Sequence, residues 1–88
     1  FFAEAWNKRA TVYYLLGDFD SSVLDINETL KLEPRHFGAM DGLGLIFINL
    51  QEYEKAIDVY DQMLKIFPHN LSTLRKREKL LQLLSQST

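Results

Sequence analysis

Few residues of this chain are of types and spacings that could do chemistry. His36 and His69 stand 33 residues apart, each just after a proline. A metal site built on them would need further ligands, and the chain has no cysteine. Hydrogen bonding at a helix start is therefore the expected role of both. Gly38-x-x-x-Gly42-x-Gly44 fails as a phosphate loop, because no strand precedes it and Phe47 holds the third glycine position. It fails as a membrane dimer motif because Asp41 and Asn49 interrupt a short segment. The acid pairs Asp18/Asp20 and Asp58/Asp61 have no histidine or nucleophile beside them and read as solvated carboxylates. Arg75-Lys76-Arg77 with Lys79 carries no interleaved aromatic, in a chain that is acidic overall, which argues against nucleic acid. Asn27-Glu28-Thr29 and Asn70-Leu71-Ser72 fit the glycosylation sequon, which matters only in a secreted eukaryotic protein. No catalytic constellation, cofactor site or metal site emerges, so no enzyme is expected.

Composition sets the frame. Eighty-eight residues make one domain (residues 1–88), 47% hydrophobic and 25% charged. The absence of cysteine removes disulfide frameworks and thiolate metal sites. No apolar run approaches the roughly 18–20 residues of a membrane span. Net charge is −2 but unevenly placed. Residues 1–69 carry six Lys/Arg and eleven Asp/Glu, a balance of −5. Residues 70–88 carry four Lys/Arg and one Glu, a balance of +3. The chain begins Phe1-Phe2 without methionine, which suggests a piece of a longer protein. The compartment stays open: a soluble protein, cytoplasmic or, in a bacterium, exported or periplasmic.

The elements that must position these residues are all helical. Apolar residues recur at three and four throughout, and no alternating strand pattern appears. Helices are expected over about Phe2–Leu16, Phe19–Leu32, His36–Leu50, Tyr53–Phe67 and Leu71–Leu84, with Ser85 to Thr88 as a fraying end. Gly17 suits a left-handed stop. Asp18 or Asp20 and Asn70 suit N-caps. Pro34 and Pro68 close the second and fourth helices. Asp61 and Lys65 are spaced as an i,i+4 pair on the fourth helix. The short connections make neighbours antiparallel hairpins.

Two windows repeat in register. Met40, Leu43, Gly44, Phe47, Ala56, Tyr60, Met63 and Pro68 answer Trp6, Arg9, Ala10, Tyr13, Ser22, Ile26, Thr29 and Pro34, one 34-residue period earlier. This pattern resembles the tetratricopeptide repeat (TPR), and the first window also resembles those of small bacterial TPR proteins. Small residues fall where two helices cross closely, Ala10 opposite Ser22 and Gly44 opposite Ala56. Arg9, Ser22 and Thr29 depart from the pattern and suggest a first repeat with a partly exposed edge. The expected fold is an all-α, right-handed α-solenoid: two hairpins (about 3–36 and 37–70) and a C-terminal capping helix (about 71–86). That cap would turn Leu74, Leu81 and Leu84 inward and Lys/Arg outward.

The resemblance implies a protein–protein interaction or scaffold module, whose concave groove binds a peptide or helix. Carried over position by position, the groove falls on Asn7, Lys8, Thr11, Tyr14, Asp41, Leu45, Ile48 and Asn49, continuing through Ser72 to Arg75, Lys76 and Lys79. The basic end suits a partner with an acidic portion. The clamp by which such domains hold chaperone tails maps onto Asn7, Thr11, Gly42, Ser72 and Lys76. Only Lys76 keeps a suitable cation, so those tails are not the expected ligand. Gly44 is read as tight packing, and Gly38 and Gly42 as an open groove floor. The alternative is self-association through the N-terminal aromatics (Phe1, Phe2, Trp6) or the basic last helix, since two repeats are fewer than the three or more usual for a solenoid.

Overall fold

Helix-forming periodicity, caps and breakers produce the five helices of the computed structural model, which describes residues 2–86: α1 (Phe2–Leu15), α2 (Phe19–Leu32), α3 (Phe37–Asn49), α4 (Tyr53–Ile66) and α5 (Leu71–Gln86). Gly17 has φ +79° and ends α1, a conformation that costs a Cβ-free residue little. Gln51, with φ 59°, serves the same purpose between α3 and α4 without that advantage. Asp18, not Asp20, caps α2, accepting from the Ser21 N–H. His36 caps α3, its Nδ1 accepting from the Ala39 N–H at 3.0 Å. Asn70 caps α5, its Oδ1 accepting from Thr73 N–H at 3.0 Å.

The helices pair as α1/α2 and α3/α4, with α3 packed on both helices of the first hairpin and α5 closing against α4. The stack measures 40 × 28 × 16 Å. Two apolar clusters fill it, one around Ala10, Ile26, Ala39 and Ile46, the other around Met40, Ile57, Tyr60, Met63 and Leu80. Leu30 and Leu43 touch both clusters and join the repeats. Helix α3 approaches α4 closely at Gly44. A Cβ at Gly44 would lie 2.8 Å from Tyr60 Cε1 and 2.9 Å from Cζ. The glycine thus makes room for the Tyr60 ring rather than for Ala56.

Of the residues expected to mark an exposed edge of the first hairpin, only Arg9 is exposed, its side chain to 57%. Ser22 and Thr29 are fully buried. Their hydroxyls donate to the Ala10 carbonyl at 2.7 Å and to the Asp25 carbonyl at 2.9 Å, so each is satisfied by backbone. Arg9 is also integrated. Its Nε and Nη2 donate to Asp25 at 2.7 and 2.9 Å, and its guanidinium lies over the rings of Trp6 and Tyr13. Asp25 is buried beneath it.

The cap is rotated about one residue from the expected register. Thr73 and Leu80 are buried and Leu84 packs on the core, whereas Leu74 and Leu81 are exposed. With Arg77 they form a stripe at 73, 77, 80 and 84, an i+4, i+3, i+4 spacing that follows the helical repeat. Arg77 is therefore turned only partly to solvent: its Nε donates to Asp61, which pairs with α5 instead of Lys65. The helix also runs past Leu84 through Ser85 and Gln86; Ser87 and Thr88, like Phe1, lie outside the described residues.

Two expectations follow. Gly44→Ala should lower stability by about 1–2 kcal/mol despite its better helix propensity, because the buried ring cannot withdraw. Gly42→Ala, whose Cβ would meet only Ile26 Cδ1 at an ordinary 3.6 Å, should raise it by up to about 1 kcal/mol. Urea denaturation of both variants checks the contrast. By the same assay, Arg9→Leu should destabilise by leaving Asp25 buried and unpaired, and adding Asp25→Ala should restore much of the loss.

Candidate functional site

The helices α1 and α3 run side by side, and between them opens a cleft of about 270 Å³. Its α1 wall is Asn7, Thr11, Tyr14 and Leu15, and its α3 wall is Gly38, Asp41, Gly42 and Leu45. Ala10, Ser22 and Ile26 form the floor. The cleft is mostly apolar with a few polar groups converging on it, the usual make-up of a ligand site. A second hollow of about 340 Å³ lies on the outer surface of α1 alone, between Phe2, Ala5, Trp6 and Arg9.

Hydrogen bonds bracket the cleft at both ends. At one end, His36 Nδ1 is occupied as an acceptor, so its proton sits on Nε2, facing Glu4 Oε2 at 3.3 Å. That bond, aided by Asn7, holds the Glu4 carboxyl below its ordinary range against the opposing effect of desolvation. At the other end Asn49 Nδ2 donates to the Tyr14 hydroxyl at 2.8 Å and to the Leu45 carbonyl at 2.9 Å. The Tyr14 ring leans on Phe19. The walls are thus fixed relative to one another before any ligand arrives.

Of the residues nominated from sequence, the cleft gathers Asn7, Thr11, Tyr14, Asp41 and Leu45. Asn49 stands at its rim through Tyr14. Lys8 is exposed outside it, and Ile48 packs against the second apolar cluster. Lys76 reaches back from α5 to Asp41, Nζ to Oδ1 at 2.9 Å. Arg75 and Lys79 lie exposed further along α5. The three glycines separate as the residue pattern suggested: Gly38 and Gly42 line the cleft, Gly44 does not. Sequence reasoning missed Leu15 and the floor residues Ala10, Ser22 and Ile26, which it assigned only to packing. It also missed Glu4 and the Asp41–Lys76 pair. The signal for the pair was present: Tyr14/Asn49 and Asp41/Lys76 are each separated by 35 residues, one period plus one.

The tetratricopeptide repeat profile matches residues 3–36 and 37–70. The chain belongs to the tetratricopeptide repeat family. It is 37% identical to the TPR repeat-containing protein RHE_CH03534.1 of Rhizobium etli, over 76% of this chain and 33% of that protein. It is 33% identical to a 2,3-bisphosphoglycerate-dependent phosphoglycerate mutase of Baumannia cicadellinicola, over 80% of this chain and 30% of that one. The chain therefore spans about a third of the length of these relatives. Among solved structures it is similar to the first TPR of Spaghetti (RPAP3) bound to the HSP90 peptide SRMEEVD. That likeness has TM-score 0.83 and 25% identity, and covers 94% of this chain and 68% of that one. Among the described residues of this TPR chain no group of three metal-ligating side chains converges and no helix is long and apolar enough to cross a membrane.

One polar group beneath the cleft wall is unusual. The Tyr60 hydroxyl is buried with no hydrogen-bond partner among the described residues. Burial, then the nearby Asp41 and Tyr14, pushes it up to about 12 from an ordinary value of 10.0. Because the folded state holds this proton more tightly, its contribution is intact below pH 10 and is lost as pH rises towards 12. The loss should be roughly 2–3 kcal/mol. Tyrosinate absorbance should show one late-titrating tyrosine, absent in Tyr60→Phe, and that variant should be as stable as the parent or more so at neutral pH.

Proposed function

We propose that this TPR chain is a non-enzymatic protein–protein interaction module whose α1/α3 cleft receives a peptide or helix of a partner, with an apolar side chain seated over Gly38 and Gly42. Gly42 carries the reading. A glycine inside a helix costs about 1 kcal/mol relative to alanine, and at Gly44 the Tyr60 ring explains it. At Gly42 nothing does: a methyl would meet one ordinary contact. What the missing side chain provides is open space at the α3 wall of the cleft. The Spaghetti neighbour, holding a peptide of another protein, supports the same use of the fold. Asn7, Thr11, Tyr14, Asp41 and Leu45 would contact the ligand, with Lys8, Ile48 and Asn49 at the margins. Arg75 and Lys79 offer charge to an acidic portion lying beyond the cleft along α5. No nucleophile–base pair lines the cleft, so the mutase relative does not bring catalysis to it.

Self-association is the second reading. It is favoured by the outer hollow of α1, where Phe2 is 70% exposed beside Trp6. The basic helix favours it less, because Lys76 and Arg77 are already paired within the chain. A molar mass that rises with concentration in sedimentation would mark it.

The cleft is tested by selecting a displayed peptide library on the folded domain. The selected peptides should share a bulky apolar residue, and Gly42→Leu should weaken them at least tenfold while helix content and melting temperature hold. Unchanged affinity in that variant would remove the cleft as the binding site.

A further inference from the structure

Asp41 is the one charged side chain among the described residues that line the cleft. The cation in contact with it, Lys76, does not stand free: its ammonium donates to Asp41 Oδ1 at 2.9 Å. Both side chains are about one-third exposed, so the pair is reachable from the cleft. A carboxylate entering there would meet the Asp41 charge at short range and would have to take Lys76 from it. Glu4, at the His36 end, is a further carboxylate beside the cleft, held in its charged form by its bond to His36. Among the described residues that line it the cleft holds a carboxylate and no cation, although α5 outside it is basic.

We infer that Asp41 sets the charge specificity of the cleft: by occupying Lys76 it bars acidic peptides and leaves the site to segments presenting an uncharged or cationic side chain. This rests on the reading of the cleft as a peptide site. It separates the chain from its structural neighbour, whose bound peptide SRMEEVD is acidic. The acidic portion of any partner belongs on Arg75 and Lys79, not in the cleft.

The test uses two probes, the peptide SRMEEVD and its carboxylate-free counterpart SRMQQVN with an amidated C terminus. Each is titrated by fluorescence anisotropy against the parent domain, Asp41→Asn, and Asp41→Asn with Lys76→Ala. The parent should favour the carboxylate-free probe. Asp41→Asn should gain about tenfold for SRMEEVD, the gain should fall with added salt, and it should vanish when Lys76 is also replaced. Structural damage does not create affinity, so a gain cannot come from misfolding. Tight binding of SRMEEVD by the parent, no gain in Asp41→Asn, or a gain that survives loss of Lys76 would overturn the inference. Selection by the displayed library, lost in Gly42→Leu, would still stand in any of those cases, so the two failures are distinguishable.

Discussion

The Tyr60 ring lying on the bare backbone of Gly44 is the contact on which the rest depends. It sets the distance between α3 and α4 at a value no side chain would allow. With α4 that close, Met40, Met63 and Leu80 complete one cluster, and α3 is held where Leu43 also reaches Ala10, Ile26 and Ile46 in the other. The placement of α3 then fixes its far side, which is the cleft wall. The ring is anchored by close packing, and its hydroxyl is left without a partner. Shape outweighs polar satisfaction here: the full burial of the ring offsets one orphaned group.

The two hairpins reach the same geometry by different means. The second uses apolar and small residues throughout. The first substitutes polar atoms, each satisfied: Ser22 on the Ala10 carbonyl, Thr29 on the Asp25 carbonyl, Arg9 on Asp25. Such a substitution is tolerated only when every member finds a partner. The bond from α2 to α1 through Ser22 also shapes the cleft, because Ser22 and Ala10 form part of its floor. The polar residues that weaken the repeat signature are thus those that tie α2 beneath the cleft.

Period and small-residue spacing were enough to read the helices, their pairing and the tight packing at Gly44, since these depend on backbone geometry that repeats every 34 residues. Asn7, Thr11, Tyr14, Asp41 and Leu45, nominated through the TPR resemblance, line the cleft between α1 and α3. What escaped were features set by side-chain reach across the stack. The choice of Leu80 over Leu74 and Leu81 depends on how Asn70 caps α5 and how Arg77 finds Asp61, neither visible in the apolar count alone. Lys76 was read as a free cation because its partner lies 35 residues away on another helix.

The most direct measurement of the central claim is an amide chemical-shift titration of the labelled domain with a peptide it selects. The account predicts that the largest shifts fall on Asn7, Thr11, Gly38, Gly42 and Leu45, the two facing walls of the cleft. Shifts confined to Ala5, Trp6 and Arg9 on the outer surface of α1, or to α5, would contradict it and place the interaction elsewhere.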